Sequence, residues 1–163
     1  MDNVGQVFYY QWAMDLLHWF QSIRNDFLDV IFPKITVLGN AGLFWIGLTI
    51  ILLIIPAKRK TGVQAAIALV LTAFICNIIL KPGIMRSRPC WIEEIEMLVS
   101  IPHDYSFPSG HSNASYAVAT AIFTRDKKLG IPSLVLATLI AVSRLYVFVH
   151  WPTDVLAGSI IGI

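Results

Sequence analysis

Apolar residues run through this chain in long unbroken blocks rather than in the short alternations of a water-soluble domain. Ile35 to Ala57 has no charged residue across 23 positions, and Thr61 to Leu80 has none across 20. Tyr105 to Thr124 carries only His111, and Leu129 to Ser143 is uncharged throughout. A helix rises ~1.5 Å per residue, so about 20 apolar residues match the hydrocarbon thickness of a bilayer. A soluble helical core would show a polar face on each helix. The pattern therefore predicts an all-α, polytopic transmembrane bundle, with spans over 35–55, 62–80, 109–124 and 132–149. Arg125-Asp126-Lys127-Lys128 and Gly130 read as a tight turn between the last two.

Ahead of the first block, residues 7 to 31 vary at helical spacing. Trp12, Leu16, Trp19, Phe20, Ile23 and Phe27 share one face, and Gln11, Asp15, His18, Ser22 and Asn25 the other. The segment reads as an amphipathic helix at the membrane interface, or as a helix packed on the bundle. The chain thus divides into an N-terminal amphipathic segment, 1–34, and a transmembrane core, 35–163. A last helix begins at Trp151-Pro152, because Pro suits the first helical position. Residues 151–163 are too few to cross a bilayer at ~1.5 Å per residue, so this helix is expected to be short or truncated.

Composition agrees: 56% of residues are hydrophobic, 13% are charged and mean hydropathy is +0.70. A net charge of +2 says little by itself, and no nucleic-acid partner is expected. Cys76 lies in an apolar block and Cys90 in a loop, so neither a disulfide nor a metal-ligand spacing is indicated, and no cofactor is expected. No secretory signal is visible. The clusters at 58–60 and 125–128 hold six basic residues and one acidic residue, and two spans separate them. They should share the cytoplasmic side. Lys81, Arg86 and Arg88 then fall on the opposite face, against the usual charge bias.

Three clusters on that face carry the candidate chemistry. Lys81 and Arg88 flank Pro82 and Gly83 and precede Pro89, which predicts an ordered loop holding both cations. Arginine offers a bidentate fork to phosphate oxygens and lysine a point charge. Pro108-Ser109-Gly110-His111 stands where a loop becomes a helix, with Ser109 as N-cap and Gly110 allowing close backbone approach. Backbone donors there suit an anion, although the tetrapeptide alone reads equally as a capping turn with a bystander histidine. Arg144 ends an apolar block, where a charge needs a partner or water. His150 precedes the Pro-initiated helix and Asp154 follows it by four residues. That spacing lets the carboxylate orient one ring nitrogen and leave the other as a nucleophile; an isolated pair is also a common structural hydrogen bond. Together the clusters could bind a phosphoryl group, attack it and protonate the leaving oxygen.

Lys81-x6-Arg88-Pro89, Pro108-Ser109-Gly110-His111 and Ser143-Arg144-x5-His150-x3-Asp154 resemble the three-part signature of the type 2 phosphatidic acid phosphatase superfamily, in order and without departure. The resemblance implies a six-helix membrane fold and metal-independent hydrolysis of phosphate monoesters or diphosphates through a phosphohistidine. By position, it implies His150 as nucleophile, Asp154 as its orienting partner and His111 as general acid. Lys81, Arg88, Ser109, Gly110 and Arg144 would bind the phosphate. The small size resembles bacterial members, among which undecaprenyl diphosphate is the favoured substrate, with phosphatidylglycerophosphate and phosphatidate as alternatives. The expected partners are a membrane lipid phosphate and the bilayer, with the site on the extracytoplasmic face of the cell membrane. Vanadium haloperoxidases share the pocket but are soluble, which the apolar blocks oppose. A non-hydrolytic phospholipid-binding or transport protein is the alternative of a different class.

Around these clusters, 91–99 reads as an interfacial helix roofing the site or as a solvated acidic face. His103-Asp104 is assigned no role, and Arg86 is left between phosphate binding and lipid-headgroup contact.

Overall fold

Capping groups and helix breakers set the element boundaries in the computed structural model, which describes residues 9–163. The start of the amphipathic segment at residue 7 lies outside them. Helix α1, Gln11–Ser22, stops short of Asn25, whose side chain accepts from Leu28 N at 3.1 Å and caps α2, Asp26–Val37. The expected single helix over 7–31 is therefore two. Ala13, Met14, Leu17 and Phe20 of α1 are buried against Leu145, Tyr146, Phe148 and Trp151, while Trp12, Trp19 and Phe27 face outward. The segment packs on the bundle through its buried face, as one of the two readings expects.

The apolar block 35–57 is also broken. Ala41 and Gly42 adopt positive φ of 49° and 66°, which turns the chain between α2 and α3, Leu43–Ile54. Apolarity alone carries no signal for such a break. The two helices meet at 44° and together form one bent candidate span. Helix α4, Arg59–Ala73, continues through a π-helical segment, Phe74–Leu80, into α5, Lys81–Ile84. Lys81 therefore stands on a helix rather than in the expected loop, and the break comes at Met85, with φ 49°. Pro89–Ile92 forms the short α6. Residues 93–109 contain no helix, so no helical roof covers the site.

Helix α7, Gly110–Arg125, is the centre of the bundle and contacts α3, α4, α8 and α9. Its buried face is built largely of Ser112, Asn113, Ser115, Ala117, Ala119 and Ala121, small residues that let neighbours approach closely. Helix α8, Lys127–Tyr146, begins five residues before the expected start, because the Asp126 side chain caps Leu129 N at 3.2 Å. Gly130 belongs to α8, where a side chain would overlap Phe123 of α7. Helix α9, Pro152–Gly162, opens on proline as expected.

Two continuous helical stretches, Pro56–Ile84 and Lys127–Tyr146, are long and apolar enough to cross a membrane. Ile50, Ile54, Ile67, Val70, Leu71 and Ile78 are exposed along α3, α4 and the π segment, a surface suited to lipid tails. Lys58 pairs with Asp126, and Arg125 Nε donates to Gln64 Oε1 at 2.7 Å. The two basic clusters therefore lie at the same end of the bundle, as their sequence spacing required.

Candidate active site

At the other end, the breaks and helix starts bring the three signature clusters together. Arg88, His150 and Arg144 are buried and line one cavity of about 480 Å³ with Lys81, Gly110 and His111. Ser109 caps α7: its hydroxyl accepts from Ser112 N at 3.4 Å, and its own N–H donates to Asp154 O at 3.0 Å. Gly110 has open space where a side chain would stand, so the helix mouth is unobstructed.

His150 is oriented from both sides. Arg88 Nη1 lies 3.2 Å from His150 Nε2, and because a guanidinium only donates, Nε2 carries the lone pair. The ring proton then sits on Nδ1, 3.4 Å from Ser106 Oγ and 3.5 Å from Asp154 Oδ2. Burial, followed by the charges of Arg88, Arg144 and Lys81, holds this imidazole well below its ordinary pKa of 6.5. The neutral ring thus presents an unprotonated nitrogen to the cavity.

Asp154 is held more firmly by other groups than by His150. Its Oδ1 accepts from Arg86 Nη1 at 2.6 Å, and its Oδ2 accepts from Trp151 N at 2.9 Å and from the Ser106 hydroxyl. Arg86 also donates to Thr153 Oγ1 at 2.6 Å and lies over the Trp151 ring. Arg86 therefore turns towards the carboxylate behind His150, and it is buried. Its position two residues before Arg88 in a non-helical stretch was the available signal. Ser106 had none.

Across the cavity, His111 Nε2 lies 2.9 Å from Asn40 Oδ1. With the amide oxygen as acceptor, Nε2 carries the proton. Gly39 is buried so tightly that a side chain there would overlap His111 Cδ2. Arg144 Nη1 donates to Thr36 Oγ1 at 2.5 Å, leaving its buried Nε without a partner among the described residues. The α2–α3 break thus supplies Thr36, Gly39 and Asn40 to the site, none of which belongs to a signature cluster.

Asp104, assigned no role from sequence, engages both cations of the first cluster. Its carboxylate accepts from Lys81 Nζ and, at 2.7 Å, from Arg88 Nη2. Burial alone would raise the carboxyl pKa, but Arg88 and Lys81 hold it below its ordinary value. Lys81, Asp104, Gly110 and His111 also line a second, largely apolar cavity of about 600 Å³, walled by residues such as Ile46, Ile50, Leu53, Leu69 and Val70. The basic cavity and the apolar one meet at these four residues.

A helical bundle with apolar outer faces and a buried cationic pocket at one end defines a membrane protein with a positively charged site. The chain belongs to the PAP2 superfamily, whose model matches residues 61–163. An undecaprenyl-diphosphatase of Sulfolobus acidocaldarius is 37% identical over 120 residues, covering 72% of this chain and 58% of that protein. Undecaprenyl-diphosphatase BcrC of Bacillus subtilis is 30% identical over 142 residues, covering 87% of this chain and 73% of that protein. The crystal structure of Aquifex aeolicus LpxE superposes with a TM-score of 0.81 at 30% identity, covering 94% of this chain and 92% of that one.

Proposed function

We propose that this chain is a membrane lipid phosphatase that cleaves a lipid phosphate or diphosphate through a phosphohistidine on His150. The observation that carries the reading is the His150 tautomer: Nδ1–H faces Asp154 and Ser106, and the Nε2 lone pair faces a cavity lined by Lys81, Arg88 and Arg144. Those cations and the Ser109-Gly110 helix mouth would hold the phosphoryl oxygens. Nε2 attacks phosphorus as the bond to the leaving oxygen breaks, and the imidazolium of His111, charged once the anionic substrate is bound, gives that oxygen a proton and becomes neutral. Water then attacks the phosphohistidine, breaks the P–N bond and releases inorganic phosphate. His111, now the base, takes the proton from that water.

The apolar cavity would take the first part of the lipid tail, leaving the rest in the bilayer. Undecaprenyl diphosphate is the favoured substrate, supported by similarity to the Sulfolobus and Bacillus undecaprenyl-diphosphatases. The positive charge at the far end of the bundle favours an extracytoplasmic site. Residues 9–34 would ride on the bundle with Trp12 and Trp19 near the headgroups. In this reading the cations and the helix mouth neutralise the phosphoryl group, and no metal ion is invoked.

The test is phosphate release in detergent from undecaprenyl diphosphate, phosphatidylglycerophosphate and phosphatidate, with and without EDTA, for the wild type and His150→Ala. Release that resists EDTA and vanishes in His150→Ala is expected. Release that survives the substitution would overturn the nucleophile, and loss with EDTA would overturn the metal-free route.

A further inference from the structure

Lys81 and Arg88 donate to the two oxygens of one carboxylate, that of Asp104. Arg88 has no spare donor. Nε goes to Asp104 O at 2.7 Å, Nη1 to Val149 O at 2.7 Å and to His150, and Nη2 to Asp104 Oδ1 and Tyr105 O. A phosphoryl group that uses the outer edge of Arg88 must therefore displace the carboxylate.

The two sides of this contact differ in their freedom to move. The Arg88 side chain is 2% exposed and that of Lys81 13%, whereas Asp104 is 55% exposed. The cations are fixed and dry, and the carboxylate is the partner with solvent at its back. Displacing it does not undo the anchoring of Arg88, because the contacts to Asp104 O and Val149 O are made by main-chain oxygens. A rotation of the Asp104 side chain frees Arg88 Nη2 and Lys81 Nζ while the guanidinium plane stays where His150 needs it. Asp104 also lines both cavities, so it stands where the lipid tail would meet its phosphate.

We propose that Asp104 is an exchangeable counter-anion of the phosphoryl pocket. It holds Lys81 and Arg88 until a phosphate group takes its place, and it competes with inorganic phosphate for the same donors after hydrolysis. It thereby sets how tightly the site retains its product. Three cations line the cavity, so a pocket without this carboxylate would hold a polyanion more strongly and release it more slowly. The proposal deepens the phosphatase reading and rests on it only for the product-release step.

The test compares wild type with Asp104→Asn in detergent, using inorganic phosphate as the probe. Phosphate is expected to bind Asp104→Asn about tenfold more tightly, seen as a larger phosphate-induced rise in Tm and as a lower inhibition constant in turnover. Asp104→Glu, which restores the charge, should return the phosphate affinity towards wild type. Equal or weaker phosphate binding by Asp104→Asn would overturn the proposal. A second measurement needs no variant. Carbodiimide coupling of an amine to carboxylates, mapped by mass spectrometry, should label Asp104 of the wild type faster when phosphate is present. Unchanged or slower labelling would overturn the proposal equally. The Tm shift and the labelling are independent of turnover. Tight phosphate binding without lipid hydrolysis would therefore sink the phosphatase reading and leave this one standing.

Discussion

Arg86 Nη1 donates to Asp154 Oδ1 at 2.6 Å, and both side chains are out of solvent. The carboxylate beside the proposed nucleophile is therefore locked by a guanidinium as well as by the Ser106 hydroxyl and the Trp151 N–H. A carboxylate held on three sides has little freedom to rotate away from His150, so the imidazole meets a fixed acceptor. Arg86 acts through Asp154 and is a positioning residue.

Removing Arg86 should leave a buried carboxylate short of its cation, a change that costs about 3–5 kcal/mol. Arg86→Ala is expected to lower Tm strongly and to reduce kcat in whatever protein remains folded. Arg86→Lys keeps the charge but loses the planar guanidinium that lies over Trp151 and holds Nη1 between Thr153 and Asp154. It should fold, with kcat reduced by roughly tenfold or more and KM nearly unchanged, as expected when the nucleophile rather than the phosphate is disturbed. A rise in KM with kcat intact would place Arg86 on the substrate instead.

The pH dependence follows from His150. Its folded pKa lies well below 6.5, so the attacking nitrogen stays unprotonated as pH falls through that value. The acid limb of kcat should therefore lie well below 6.5. Stability moves the other way. Below about pH 6.5 the unfolded imidazole takes up a proton that the folded one refuses, so folding weakens as pH drops towards the folded pKa. Melting temperatures in detergent, followed from about pH 8 to pH 5, should fall, and they should fall less steeply in His150→Gln. An identical slope in the variant would show that other groups carry the acid sensitivity.

Much of this site was legible because its chemistry uses rare residues at fixed spacings in a medium where charge is costly. His111, His150, Asp154, Arg88 and Arg144 were each conspicuous as polar groups at the ends of apolar blocks. The α2–α3 break was passed over because Ile35 to Ala57 is uncharged throughout, although Gly39-Asn40-Ala41-Gly42 is a run of turn formers within it. Its turn depends on the positive φ of Ala41 and Gly42, and its contributions of Thr36 and Asn40 depend on where that turn falls. Asp104 and Ser106 were hidden for a related reason. They sit in an aperiodic loop, whose path is set by tertiary hydrogen bonds such as Ser106 N to Arg86 O at 2.9 Å. Arg86 was visible as a basic residue on the wrong side of the charge bias, but only packing shows that it faces Asp154.

Gly39 tests whether the break is part of the site. A methyl group there would overlap His111 Cδ2 and lie 2.9 Å from Ile140 Cγ2. Either the imidazole or the α2 end must shift, and overpacking of this kind costs about 1–3 kcal/mol. Gly39→Ala should therefore lower Tm modestly and reduce kcat more than an equal loss of stability elsewhere. The matched control is Gly47→Ala on α3, where a methyl group meets nothing within 4 Å. Equal activity in the two variants would remove Gly39 from the positioning of His111.

Gly158 and Gly162 set the last helix against the site from behind. A methyl group at Gly158 would come 2.5 Å from Ser109 O, and one at Gly162 would come 2.6 Å from Asn113 O, both main-chain atoms of the α7 entry and first turns. Backbone cannot yield as a flexible side chain does, so α9 must move away from α7 in either variant. The consequences differ by position. Gly158 lies beside Ser109, whose N–H is tied to Asp154 O at 3.0 Å, so displacement there separates the anion-binding mouth from the nucleophile's partner. Gly162 lies a turn further on, away from both. Gly158→Ala is expected to lose stability and most of its activity, with KM raised as Ser109 and Gly110 shift. Gly162→Ala should lose stability by a similar amount while retaining more turnover per folded molecule. Measuring kcat, KM and Tm for the two variants side by side would decide whether α9 only braces α7 or also fixes the spacing between its two catalytic edges.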